Sequence, residues 1–187
     1  VPPGVQKVTF TSGTTAQPKG VCLGSAQQWE LARVLAGELA ALDIRRHLNL
    51  LPLAVLLENI AGAYTALLSG AATICLPLAQ TGLRGAASFD PVLCLDTIAR
   101  TRAESVILLP QMLQALVAAA RAGDSRLHTL KFIAVGGART PPALIEAAHA
   151  KGFPVYEGYG LSECGSVVSL NLPGQARHGR AGRPLPN

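Results

Sequence analysis

The chain holds 187 residues, 49% hydrophobic and 14% charged, with 16 Lys and Arg against 11 Asp and Glu for a net charge of +5. That length buries roughly 70% of the unfolded surface around one core, and so low a charge content points to faces that another part of a protein covers. A nucleic-acid platform is disfavoured because Arg177, His178, Arg180 and Arg183 cluster without interleaved aromatics, and a zinc or disulfide scaffold because Cys22, Cys75, Cys94 and Cys164 stand far apart with no C-x-x-C pair.

Reduced thiols imply a cytoplasmic setting, with peripheral membrane association left open. The most apolar stretch, residues 48–79, is interrupted by Pro52, Glu58, Asn59 and several glycines, short of the ~20 uninterrupted apolar residues of a membrane span. It reads as buried core. The start at Val1 without a secretory leader and the Pro- and Gly-rich finish at Gly182-Arg183-Pro184-Leu185-Pro186-Asn187 predict a piece of a larger protein, so that residues 1–187 form a single partial domain.

In chain order, residues 8–11 predict a strand feeding the loop that follows. Ser25, with Gln28 three residues on, gives a capping-box signal for a helix with Leu31, Leu35, Leu39 and Leu42 on one face. Residues 48–51 read as a strand, 57–68 as a helix, and 72–76 as a strand stopped by Pro77. A polar connection at 80–88 precedes a helix over 91–102 and a buried strand at 105–109. Pro110 opens a helix striped by Met112, Leu113, Leu116, Val117 and Ala120. Residues 130–135 form another buried strand, ending in Gly136-Gly137-Ala138-Arg139. Thr140 then caps and Pro141 starts a helix that Gly152 ends in the left-handed conformation. Residues 155–158 make the last parallel strand. The alternation predicts an α/β fold, a mostly parallel sheet flanked by helices.

Ligands of such sheets bind beyond the strands' carboxyl ends, and three loops leave there. Thr11-Ser12-Gly13-Thr14-Thr15-Ala16-Gln17-Pro18-Lys19-Gly20-Val21 concentrates hydroxyls, glycines and one ammonium in a phosphate-cradling pattern. Residues 136–139 offer a flat backbone path. Tyr159-Gly160-Leu161-Ser162-Glu163 sets a ring beside a hydroxyl and a carboxylate. Alone, each has a plain explanation: a solvent loop, a turn, a core ring with a surface carboxylate. Together they suit a nucleoside triphosphate with a divalent metal. A P-loop NTPase fails on spacing, since Pro18 rather than glycine precedes Lys19.

With these motifs in this order, the chain resembles the acyl-adenylate-forming (AMP-binding) enzymes: acyl-CoA synthetases, nonribosomal adenylation domains and beetle luciferases. The family's T-S-G-[ST]-T-G-x-P-K-G-V loop is followed from Thr11 to Val21 except at Ala16, and its Y-G-x-[ST]-E motif is Tyr159 to Glu163. Leu51-Pro52-Leu53-Ala54-Val55-Leu56-Leu57-Glu58-Asn59 and Gly182-Arg183-Pro184-Leu185-Pro186 look most like the fatty acyl-CoA synthetase branch.

The resemblance implies a subdomain of that family's large N-terminal domain. In the parent protein it implies activation of a carboxylic, in this branch fatty, acid by ATP and Mg²⁺ to acyl-AMP, then thioester formation with coenzyme A. The alternatives are loading of a carrier protein, or a non-catalytic nucleotide- or acyl-binding module. It further implies that Thr11, Ser12, Gly13, Thr14, Thr15 and Lys19 hold the phosphates. Gly137, Ala138, Gly158, Tyr159 and Gly160 would form the adenine slot, Ser162 would touch the α-phosphate or the acyl carboxylate, and Glu163 would help bind Mg²⁺. Lys19, Ser162 and Glu163 would carry the catalysis.

Three departures stand out. Ala16 replaces a glycine, which costs on the order of 1 kcal/mol if the loop requires positive φ there. Val55 and Asn59 replace the branch's histidine and arginine, which bears on the acyl pocket. The ribose-binding aspartate and the carboxyl-terminal domain with its catalytic lysine are not in the chain, so the chain alone is expected to be inactive.

Overall fold

A computed structural model of the chain describes residues 2–11, 18–85, 88–176 and 179–186. Strands β1 (Val5–Thr11) and β2 (Lys19–Gly24) pair antiparallel with Thr11 opposite Lys19. They form a ribbon separate from the main sheet. The expected strand at 8–11 therefore exists, but it does not join the parallel sheet. β2 was not foreseen.

Helix α1 (Ser25–Leu39) follows directly. Its cap is Gly24, not Ser25: β2 continues to residue 24, so Ser25 is already the first helical residue. Gln28 Nε2 reaches back to donate to Gly24 O at 3.1 Å. A 3₁₀ turn (Ala40–Leu42) and Asp43 at φ 45° turn the chain into β3 (Arg46–Leu48). This strand is earlier and shorter than the 48–51 expectation, because Leu51 N turns away to donate to Glu58 Oε2 at 2.9 Å.

The helix expected over 57–68 forms with a different pitch. Residues Glu58–Tyr64 are π-helical and run into α2 (Thr65–Leu68). Thr65 supports the wider turn by donating its hydroxyl to Ile60 O at 2.9 Å. β4 (Ala72–Ile74) follows, then the short pair β5 (Leu83–Arg84) and β6 (Ser88–Phe89). Helix α3 (Pro91–Thr101) is capped by Asp90, whose carboxylate accepts from Leu93 N at 3.0 Å, and ends at Arg102 with φ 53°.

β7 (Ser105–Leu108), α4 (Pro110–Ala119), β8 (Phe132–Val135), α5 (Pro142–Ala150) and β9 (Val155–Tyr159) complete the foreseen alternation. Gly152 takes φ +91° after α5, as expected. Thr140 does not cap α5; Pro141 occupies that place. Thr140 N instead donates to Glu157 Oε1 at 3.2 Å, and its buried hydroxyl has no partner among the described residues. β10 (Ser169–Leu170) and β11 (Arg183–Pro184) add antiparallel strands at one edge.

The main sheet runs β11-β10-β9-β8-β7-β3-β4, with β9, β8, β7, β3 and β4 parallel. Side chains alternate between its faces. Leu48, Val106, Leu108, Ile133, Val135 and Val155 meet Leu95, Ile98, Leu113, Leu116 and Ala148 of α3, α4 and α5 in the larger core. Phe132, with Ala134 and Tyr156, meets Leu31, Leu35 and Leu39 of α1 on the other face. Each large aliphatic chain buried there contributes about 1.5–3 kcal/mol of transfer free energy. Among the described residues no helix is long and apolar enough to cross a membrane.

Candidate functional site

The carboxyl ends of β8 and β9 lie side by side, and the loops leaving them are stripped of side chains for steric reasons. A methyl on Gly136 would come 3.4 Å from Gly158 O, and one on Gly158 would sit 3.2 Å from Ser169 O. At Gly160 a methyl would overlap Ser166 O outright. Gly137 has φ +81°, a conformation open to glycine. Nearby Ser166 is held at φ 142° while buried, a strained backbone of the kind that costs about 1–3 kcal/mol.

Two cavities share this backbone floor. The smaller, about 380 Å³, is lined by Gly137, Ala138, Thr140, Glu157, Gly158 and Tyr159 among others. Tyr159 is 50% exposed, so its ring offers a free face. Glu157 is the functional candidate that sequence reading missed: a buried carboxylate whose Oε1 is held by Thr140 N. Its position next to Gly158 in a buried strand is the signal that could have found it, since a carboxylate there needs a partner.

The larger cavity, about 1000 Å³, has Gly137, Gly158, Tyr159, Gly160 and Ser162 on its wall and passes Thr9 and Phe10 of the ribbon. It continues between the sheet and the layer of α1 and the π-helix, along Leu35, Leu57 and Phe132, as far as His47 and Ser105. Val55, at the position singled out in the sequence, lines it. Asn59 does not face open solvent: it accepts a hydrogen bond from Lys7 Nζ at 2.8 Å and so pins the ribbon to the π-helix. Burial lowers the pKa of Lys7.

Of the expected site residues, Gly137, Ala138, Gly158, Tyr159, Gly160 and Ser162 converge on the walls of the two cavities. Ser162 and Glu163 start the 3₁₀ turn Ser162–Cys164, which packs beside β2. Gln27 Nε2 of α1 donates to Glu163 O at 3.4 Å, leaving the exposed carboxylate available. Thr11 and Lys19 face each other at the base of the ribbon's loop. Ser12, Gly13, Thr14, Thr15 and the departure at Ala16 lie outside the described residues. Among the described residues no group of three or more His, Cys, Asp and Glu is placed to hold a metal ion.

Comparison with known proteins identifies the family and the fold. The family model of the AMP-binding enzymes matches residues 6–187. The chain is 30% identical over 184 residues to the indoleacetate–CoA ligase of Aromatoleum aromaticum, covering 96% of this chain and 34% of that one. It is 32% identical over 184 residues to the 2-succinylbenzoate–CoA ligase of Geobacillus kaustophilus, covering 97% and 35%. The O-succinylbenzoate coenzyme A synthetase of Bacillus subtilis in complex with AMP superposes with a TM-score of 0.78 at 27% identity, over 95% of this chain and 34% of that one. The same synthetase in complex with ATP and a magnesium ion gives 0.77. The chain thus spans about a third of the length of these relatives. Their names are those of aryl-acid ligases, so the fatty acyl resemblance does not extend to them. On the family model and the shared fold, the chain belongs to the AMP-binding enzymes.

Proposed function

We propose that the polypeptide carrying this chain activates a carboxylic acid, aromatic rather than fatty, with ATP to an acyl adenylate and passes the acyl group to coenzyme A. The observation that carries this reading is the meeting of two cavities over one glycine-built floor, with Tyr159 at their junction and Ser162 on the wall of the larger. One compartment suits a purine, the other an apolar acid.

Chemically, a carboxylate oxygen attacks the α-phosphorus, forming one P–O bond as pyrophosphate leaves. A thiol then attacks the acyl carbon and AMP departs. The first step brings anion to anion, so positioning and charge neutralisation dominate. Tyr159 would stack on the base, with Gly137, Ala138, Gly158 and Gly160 admitting it closely. Glu157 would accept from an exocyclic amino group. Ser162 would orient the α-phosphate or the acid. Thr11 and Lys19, with Ser12, Gly13, Thr14 and Thr15 of the loop, would hold the outer phosphates. A magnesium ion arriving on phosphate oxygens would need only one or two protein carboxylates, which Glu163 fits, and it would supply charge neutralisation. A carrier-protein thiol in place of coenzyme A is the alternative acceptor.

The test is to incubate the full-length polypeptide with ATP, Mg²⁺ and a panel of aryl and alkyl acids, with and without coenzyme A, and to identify adenylates and thioesters by mass. Lys19→Ala and Glu163→Gln should each lower adenylate formation at least tenfold, the scale of a lost charge-assisted contact. Unchanged rates would remove the site assignment. Absence of any adenylate, together with retained nucleotide binding, would favour a non-catalytic module, the reading that Ala16 and Val55 motivate.

A further inference from the structure

The larger cavity has two mouths. At the carboxyl ends of β8 and β9 it opens beside Phe10 and Tyr159, which are 72% and 50% exposed. Its middle is closed: Leu35, His47 and Phe132 on the wall are 1%, 4% and 3% exposed. Beyond His47 the lining is exposed again, at Arg33, Ala40, Asp43, Arg45 and Ser69. The side chains of Arg33, Asp43 and Arg45 there are 64%, 66% and 65% exposed.

Strand register gives the distance between the mouths. His47 lies opposite Ser105, and Ser105 opposite Phe132. Phe132 is four residues before Gly136 and Arg45 is two before His47, so at about 3.3 Å per residue the far mouth is about 20 Å from the glycine floor. Lys131, which precedes β8, donates from Nζ to Asp43 O at 2.6 Å and fixes this mouth at the amino ends of β3 and β8. The cavity therefore runs the height of the sheet. Its volume of about 1000 Å³ is at the upper end of what encloses a drug-sized ligand, so an aryl acid without a tail leaves most of it unfilled. The polar groups on its buried wall are already partnered: His47 lies 2.9 Å from both Ser105 Oγ and Glu58 Oε1, and Thr65 Oγ1 donates to Ile60 O at 2.9 Å. An apolar chain can pass them without leaving any of them unmet.

We propose that the acid is an aryl acid carrying a long linear apolar tail para to its carboxylate, and that the end of this tail leaves through the mouth between Arg33 and Arg45. This rests on the acid-activation reading above and goes beyond it by naming the substrate class and the route its tail takes. Arg33 is paired with Glu30 and Arg45 with Asp43, so the mouth is rimmed by solvated charges of both signs. The tail end returns to water there, and the protein sets no maximum length. With the ring taking about a third of the channel, a tail of about 11 bonds, at about 1.2 Å each as in an extended chain, reaches the far mouth.

The experiment presents the full-length polypeptide with para-alkoxybenzoic acids from methoxy to hexadecyloxy, measuring binding by calorimetry and adenylate formation by mass. Affinity should rise with each added methylene, by up to about fourfold, and then level off once the tail spans the channel. A closed pocket would instead cut off sharply at some length. Ala40→Trp and Ser69→Trp, on opposite sides of the far mouth, should each lower the ratio of hexadecyloxy to methoxy binding at least tenfold by blocking the exit. Rejection of the long acids while the methoxy acid is adenylated overturns the inference and leaves acid activation standing. A ratio unchanged in both variants, or affinity that does not rise with tail length, also overturns it. If binding follows the expected length profile and both variants disturb it, yet no acid yields an adenylate, acid activation fails while the open-ended channel stands.

Discussion

Gly62→Ala tests the buried hydrogen bond between His47 and Glu58 through stability alone. The alanine methyl would fall well inside contact distance of both His47 Nε2 and Glu58 Oε1, and these atoms make a 2.9 Å bond with each other. Glu58 must swing away, which breaks the His47 bond and strains the one from Leu51 N. Losing a hydrogen bond to a charged or proton-sharing group costs about 1.5–3 kcal/mol, and disturbing the second adds about 1. Against this, Gly→Ala in a helical stretch gains about 0.5–1 kcal/mol. The net expectation is destabilisation by about 2–3 kcal/mol. Gly37→Ala in α1 is the control, because nothing lies within 4 Å of its methyl position; it should stabilise by about 0.5–1 kcal/mol. The chain's single tryptophan, Trp29, stacks on Tyr64 at the end of the π-helix with ring centroids 4.6 Å apart, so denaturant unfolding followed by its fluorescence reports on this region. Two substitutions of one chemistry should move the midpoint in opposite directions. A Gly62→Ala midpoint at or above that of the parent would refute the packing argument.

Other consequences can be measured directly. Gly160→Ala should reduce adenylate formation at least a hundredfold, because the methyl collides with Ser166 O and must displace the Tyr159–Ser162 loop; steady-state kinetics checks this. Burial, aided by the nearby Asp90 carboxylate, pushes the Cys94 thiol up to about 12, so at pH 8 an alkylating reagent should label Cys22, Cys75 and Cys164, which are exposed, and spare Cys94 until the protein unfolds; peptide mass mapping reads the outcome. The hydrogen bond from Arg126 holds the Asp124 carboxyl down to about 2. Its folded value lies below the unfolded one, so its contribution to stability is present above about pH 4 and is lost as pH falls toward 2. The stability difference between the parent and Asp124→Asn should therefore be constant near neutrality and shrink steadily as pH falls from about 4 through about 2.

Much of this architecture is legible in the sequence, and the exceptions share a cause. The buried parallel strands announce themselves as short aliphatic runs such as Val106-Ile107-Leu108, and Pro110 and Gly152 mark helix ends by backbone preference alone. The strand-end loops of the site follow from that alternation. What failed depends on partners distant in sequence. Ser25 and Thr140 carry capping side chains, yet β2 runs on through Gly24 and Glu157 takes Thr140 N, so neither caps. The π-helical turn leaves no mark in a 3.6-residue pattern, because Glu58 is set by His47 and Leu51. Glu58 interrupts the apolar stretch visibly. A carboxylate inside a run read as buried is itself the signal that a partner such as His47 must exist.

The ribbon of β1 and β2 stands apart from the main sheet, tied to the layer of α1 and the π-helix through Leu23 against Ala32 and Ile60 and through Lys7 on Asn59. Under the proposed function, one nucleotide would then be gripped by two mechanically distinct jaws, the sheet at its base and the ribbon at its phosphates. The gap between the jaws would be fixed by the helical layer beneath them rather than by either jaw. That layer also forms the roof over the acid's cavity, so an acid that shifts the π-helix would change the grip on phosphate without touching it.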